Sequence, residues 1–305
     1  MNDAQPPRID LKRILAGAQL PALPQSAIRL LELSQDARNG PAEFALPIES
    51  DPGLTGQVLR FVNSSYFGFS QEISSVKLAI TLVGIRTIKN FSLWSAVFSL
   101  MPNPKCGPFD LKLLWQDSLR RALFARRLAK LLGAKEPEDA FSAALLQDMA
   151  VPLLAKEAAR LYEKLIEARD DGKVRLSHLE HCVLGWTHAE AAGIMARQWN
   201  LPDAFATLIE HHHQIEPCAS DPAADPAQCS VALSALLPAA ADAEWHEFAE
   251  FESLYQKVAP REAPQLDDLL RQVDEQFCEF APVLKLAEGG LSLAERYERE
   301  VALAK

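Results

Sequence analysis

Helix-start signals recur along the whole chain, and the strict apolar–polar alternation that a sheet requires is absent. Leu23-Pro24 opens a helix with proline at its first position, and Ile28, Leu31 and Leu33 follow on one face. At Asp51-Pro52 the carboxylate can cap, and Leu54, Val58, Leu59 and Val62 follow at helical spacing. Ser74 or Ser75 starts a helix through Leu82, and Gly84 can supply the left-handed stop. Another helix runs from Arg86 to about Met101. These repeated signals predict an all-α fold.

The segment MPNPKCGPFD, Met101 to Asp110, carries three prolines and a glycine and marks a subdomain boundary. Asp110 then caps a helix holding Leu111, Leu114, Trp115, Ala122, Ala125 and Ala129. The next helix is expected from about Pro137 to Met149, with Pro152 interrupting it. Ser177 with Glu180, and Thr187 with Glu190, have capping-box spacing. Pro202 opens a helix that ends at His211, His212 and His213. From Ile215 to Ala243 the chain is rich in alanine and proline and reads in part as linker, and further helices close the sequence.

Charge narrows the partners. The net charge is -10, and the stretch from Asp242 onward, with 15 acidic and 7 basic side chains, supplies -8 of it. Such a protein repels phosphate backbones and anionic membranes, so neither nucleic acid nor a lipid surface is expected as a partner. Arg120, Arg121, Arg126, Arg127 and Lys130 form a local basic stretch, read as a solvated helix face. No apolar run reaches membrane-spanning length, and MNDAQPPRID lacks the features of a secretory signal. A cytoplasmic protein is expected. Its five cysteines, Cys106, Cys182, Cys218, Cys229 and Cys278, are widely spaced with no CxxC pair, and free thiols are expected.

Candidate chemistry lies between Trp115 and His212. Leu145 to Ala150 reads LLQDMA, Thr187 to Glu190 reads THAE at a helix start, and His211-His212 ends a helix. With LPALPQSAIRLLEL (20–33), DPGLTGQVLRFVNSSYFG (51–68), ISSVKLAITLVGIRTI (73–88), LWQDS (114–118), AFSAALLQDMA (140–150) and HAEAAGIMARQWNLP (188–202), the chain resembles the HDOD family. That family is related to HD-domain phosphohydrolases and occurs in bacterial signalling proteins. The resemblance implies an HD-like helical bundle over residues 106–215 and an N-terminal helical half over 1–105. Residues 216–305 would supply the linker and acidic C-terminal helices.

A working HD site holds a divalent metal through an adjacent His-Asp pair, an upstream His and a downstream Asp, so that bound water becomes the nucleophile. Matched to that pattern, the first member of the pair is Gln147, a poor metal ligand, and Asp148 is retained. The upstream His falls at or beside Asp117, and the nearest candidate for the distant Asp is Asp242. The retained polar set is Asp117, Gln147, Asp148, His188, His211 and His212. It can be read as an altered metal site or as a hydrogen-bonded core. The second reading is preferred, with no cofactor and with Asp148 tied to His188, His211 or His212. Removing that tie in Asp148→Ala should cost about 1–3 kcal/mol, and Asp148→Asn less. The dipole at a helix C-terminus also favours His211 to His213 on its own account. His178, His181 and His246 read as surface residues, Trp115, Trp186 and Trp199 as core, and Asn63-Ser64-Ser65 as a helix end.

Three functions compete. The first is a non-catalytic signalling module that binds proteins, or a small ligand, in trans, with partners in two-component or cyclic-dinucleotide pathways. The second is a divergent metal-dependent phosphohydrolase acting on nucleotides or cyclic dinucleotides. The third is a DNA-binding regulator with a helix-turn-helix at Leu78 to Phe91, which the charge and the bulky Ile85, Ile88 and Phe91 oppose.

Overall fold

The computed structural model describes residues 10–17, 20–221, 223–286 and 290–303, and among these there is no strand. Most of MNDAQPPRID therefore lies outside the described residues. The N-terminal half comprises α1 (Leu11–Gly17), α2 (Gln25–Leu33), α3 (Pro41–Glu49), α4 (Pro52–Val62), α5 (Val76–Val83) and α6 (Ile85–Leu100). Local capping explains most of these boundaries. Asp51 accepts from the Leu54 N–H and Ser75 from the Leu78 N–H. Pro24 stands at the cap of α2 instead of inside it. Asn63 does end α4, and its side-chain amide grips both backbone groups of Ile73, at 2.7 and 2.8 Å, which closes the loop. Gly84 alone separates α5 from α6 and takes φ +92°, a conformation that a side chain would strain. In the α5–Gly84–α6 pair, Ile88, Phe91 and Trp94 of α6 are buried core residues.

The second half begins with α7 (Leu111–Leu131), capped by Asp110 through the Lys112 and Leu113 N–H groups. It continues through α8 (Pro137–Leu146), α9 (Ala150–Glu157), α10 (Ala159–Glu167), α11 (Leu176–Leu184), α12 (His188–Gln198) and α13 (Asp203–Glu210). The break after α8 falls at Gln147–Met149, three residues before its expected place. Pro152 sits in the first turn of α9, where its missing N–H removes no helical bond. The expected capping box at Ser177 is also displaced, because Arg175 is the cap of α11 and Glu180 turns inward. The box of Thr187 and Glu190 forms as read.

The remaining elements are α14 (Glu216–Ser220), α15 (Pro226–Ser234), α16 (Phe248–Val258), α17 (Leu266–Phe280), a 3-10 turn (Ala281–Leu284) and α18 (Leu293–Leu303). The stretch read in part as linker contains a core helix. α15 packs against α7 and α8 and buries Cys229 to Ser234. Its small residues misled composition-based reading, because alanine and serine suit close helix approach as well as loops. Two of the five expected free thiols are instead joined: Cys218 and Cys229 form a disulfide between α14 and α15, with Cα atoms 5.3 Å apart. Cys106, Cys182 and Cys278 are not in disulfides.

α17 packs against both α7 and α18. Phe280, at its end, meets Phe61, Tyr66 and Phe141 at ring-centroid distances of 5.2, 5.4 and 5.9 Å. Residues from all three expected segments thus share one core. Stacking of Phe98 on Trp115 at 3.8 Å adds a second link between the halves. Trp115, Trp186 and Trp199 are buried as expected.

The basic stretch of α7 is not a solvated face. The Arg120 guanidinium lies 4.1 Å over the Phe277 ring, and that of Arg126 lies 4.9 Å over Tyr66 and 5.2 Å over Phe141. Arg127 donates to Gln272 and Gln276. Planar guanidinium groups pack on aromatic faces with little desolvation cost, so an arginine-rich face can be an inner one.

Candidate functional site

Two residues of α7 one turn apart, Asp117 and Arg121, face the break between α8 and α9. Asp148 lies in that break and lines the same cavity as both. Arg121 Nη1 donates to Asp148 Oδ2 at 2.5 Å. His188, the first residue of α12, approaches the other carboxylate oxygen, with Nε2 3.2 Å from Asp148 Oδ1. The expected tie from Asp148 to a histidine is therefore present, and it joins elements 40 residues apart. His212 Nε2 stands 3.7 Å from the same oxygen, beyond hydrogen-bond reach.

A second carboxylate holds His188 from behind. Glu180 is wholly buried. Its Oε2 accepts from both the His188 backbone N–H and Nδ1 at 2.7 Å, and its Oε1 accepts from the Tyr162 hydroxyl at 2.7 Å. The imidazole is thus clamped between two acids. Burial disfavours its charged form, but the Glu180 charge and the hydrogen bonds to Asp148 and Glu180 prevail, and its pKa is pushed up to about 10. Burial likewise works against the Asp148 carboxylate, yet the Arg121 guanidinium and the His188 hydrogen bond hold it well below the usual range.

The three imidazoles that meet are those of His188, His212 and His213, with one nitrogen of each within 4.8 Å of the others. His213 replaces the expected His211. His213 Nε2 lies 3.0 Å from His188 Nε2, whereas His211 brings its backbone carbonyl, which accepts from Gln228. Burial brings His212 down to about 4 and holds His213 well below its ordinary range, so both are neutral. His212 Nδ1 donates to the Ile209 carbonyl at 2.7 Å, while His212 Nε2 and His213 Nδ1 are buried without a hydrogen-bond partner.

Gln147 is fully buried and turned from the cavity. Its amide lies 3.5 Å from Asp148 Oδ2, and Ser234 Oγ lies 3.5 Å from its Oε1. Asp117 lines the cavity and accepts from the Ala240 N–H at 2.8 Å; burial pushes its carboxyl up to about 6. Asp242 also lines the cavity, where Arg169 donates to it at 2.5 Å. Gly172 leaves the room this contact needs: a Cβ there would fall 2.6 Å from Asp242 Oδ2. His178 and His181 are exposed as read, and His246 stands at the rim.

This arrangement of helices and polar residues has a matching family. The HDOD domain profile matches residues 20–215. The chain belongs to the HDOD domain family. The match covers α2 through α13, and therefore every residue of the clamp around Asp148 except those that α15 adds. A Treponema pallidum (strain Nichols) uncharacterized protein is 24% identical over 197 residues, 63% of this chain and 38% of that protein. YuxH of Bacillus subtilis (strain 168), also uncharacterized, is 29% identical over 169 residues, 54% of this chain and 40% of that protein. This chain thus matches about two-fifths of the length of either relative.

Solved structures extend the fold likeness beyond the profile. A Shewanella amazonensis SB2B protein described as a candidate phosphohydrolase is 21% identical, with a TM-score of 0.68 over 89% of this chain and 97% of that one. An HDOD domain protein with unknown function from Geobacter sulfurreducens is 19% identical, with a TM-score of 0.63 over 96% and 93%. These similarities include the helices after residue 215.

Where an HD metal site would carry an adjacent His-Asp pair, this chain carries Gln147 and Asp148. Position 147 offers an amide already turned to Asp148 and Ser234. One oxygen of Asp148 is held by a guanidinium whose fixed charge would oppose a dication beside it. Arg121, Glu180 and His213 were missed in the sequence. Arg121 was hidden in a basic run, Glu180 in an apparent capping box, and His213 beside two equivalent neighbours.

Proposed function

We propose that this HDOD protein is a non-catalytic regulatory protein of the cytoplasm that acts by binding signalling partners or a small ligand. The observation that carries this reading is the Arg121–Asp148 pair. An HD hydrolase needs that aspartate as a metal ligand, and here a permanently charged guanidinium sits on it at 2.5 Å. The clamp on His188 supports it: Glu180 and Asp148 each occupy one ring nitrogen of that imidazole, so a metal could reach it only by displacing one of these acids. In this reading the ion-pair network fixes the shape of the pocket, and the surrounding surface makes the contacts. The test is direct assay of the purified protein with Mg²⁺, Mn²⁺ or Zn²⁺ against nucleotides and cyclic dinucleotides. No turnover is expected. Metal-dependent turnover that disappears in Asp148→Ala overturns the reading.

One observation favours the alternative of a divergent phosphohydrolase. Three imidazole nitrogens converge, two buried ones lack partners, and Glu180 behind His188 resembles the carboxylates that orient metal-bound histidines. The name of the Shewanella amazonensis structure points the same way. The same assay separates the two readings.

A further inference from the structure

The cavity beside the clamp is richer in carboxylates than in free cations. It encloses about 390 Å³, a size typical of small-molecule pockets. Three arginines line it, and each is already engaged: Arg121 with Asp148, Arg169 with Asp242, and Arg175 with Glu247 and Glu250. An anionic ligand would have to displace an acid from every guanidinium it used.

The acids left over are differently placed. Asp117 is 6% exposed and lines the cavity. It has one hydrogen bond, from the Ala240 N–H, and no ion pair among the described residues. Arg121, Arg120 and Arg296 act on it through their charge, Arg296 while donating to the carbonyls of Asp242 and Ala240, and Asp242 opposes them. Their sum does not offset its burial. Glu167, Asp171 and Glu244 line the same cavity from exposed positions, and Glu244 has His246 3.8 Å away. Leu113, Leu114, Ile166 and Leu176 line the cavity as well. A buried carboxylate short of a counter-charge, apolar walls and an acidic mouth are complementary to one kind of molecule.

We infer that this cavity takes a small organic cation, an ammonium or guanidinium head on an apolar body, with Asp117 as its counter-charge. The exposed acids draw the cation in, and the leucine-rich wall covers its body. The inference rests on the non-catalytic reading, which leaves Asp117 without a metal to hold.

Calorimetric titration and thermal shift of the full chain, with hexamethylenediamine and agmatine as probes, test it. Hexanoate, inorganic phosphate, Mg²⁺ and Zn²⁺ serve as the opposing set. The amines should bind and raise the melting temperature, and the anions should not. Asp117→Asn keeps an acceptor for the Ala240 N–H and should weaken amine binding about tenfold or more. The pair Asp171→Asn and Glu244→Gln, exposed and safe for folding, should weaken it less and flatten its salt dependence. Failure of both amines to bind overturns the inference, as does equal binding by Asp117→Asn. A shift with Mg²⁺ or Zn²⁺ alone that needs Asp117 overturns it in favour of a metal. If the amines fail and no phosphate ester is turned over, the non-catalytic reading stands without this ligand. Metal-dependent turnover removes that reading itself.

Discussion

Arginines of one helix serve two unlike regions. Arg120 and Arg126 of α7 lie over the rings of Phe277, Tyr66 and Phe141, two of which meet Phe280 in the aromatic hub. One residue from Arg120, Arg121 reaches into a pocket and pairs with Asp148. The helical step of 100° per residue puts neighbours on different faces, so residue type alone says nothing of their work. The hub is held by apolar area and ring packing, which fall gradually when shape is altered. The pocket is held by buried charges that satisfy one another, and a charge network fails when one member leaves.

The largest effects should be alike in size and differ in remedy. Asp148→Ala should destabilise by about 3–5 kcal/mol, more than its neutral hydrogen bonds would suggest, because Arg121 and a charged His188 lose their shared acid. Phe280→Ala should also cost about 3–5 kcal/mol, through a cavity between the three segments. Urea melts of Phe280→Leu and Asp148→Leu then separate the regions. Leucine should recover much of the loss in the hub and little in the pocket; equal recovery in both would erase the distinction.

Glu180→Gln should cost less, about 1–3 kcal/mol, since the amide oxygen can keep the two hydrogen bonds from His188. It should also change the pH response. Folding raises His188 from its ordinary 6.5 to about 10, so its protonated form stabilises the fold in full below pH 6.5. That contribution is lost as pH climbs through about 10. Urea midpoints followed across this window should fall in the wild type and fall less steeply in Glu180→Gln. An unchanged slope would mean that His188 is not held charged by this acid.

The smallest effect is expected at the hub's own arginine. Arg126→Leu should cost about 0.5–1 kcal/mol, since leucine retains apolar contact with Tyr66 and Phe141 and loses the cation–ring attraction and the long contacts to Glu138 and Gln276. The same change at Arg121 should cost more, because it leaves the buried Asp148 carboxylate with His188 as its remaining partner. Thermal melts of the two variants compare the faces of α7 directly.

The sequence by itself determined the helical class, most caps and the family. Asp51, Ser75, Asp110 and Thr187 act on backbone groups two or three residues away, so their roles are written in adjacent letters. Asp117, Asp148 and His188 were singled out through the resemblance to the HDOD family. Tertiary structure decided the rest. Only packing shows that His213 faces His188 where His211 does not, since one step around a turn reverses a side chain's direction. Only packing turns Glu180 from an apparent cap into the buried support of His188, Arg121 from surface charge into the partner of Asp148, and α15 from apparent linker into core. Each of these depends on partners at least eight residues away, brought together by the rotation and crossing of whole helices, whereas a cap is satisfied before any helix meets another.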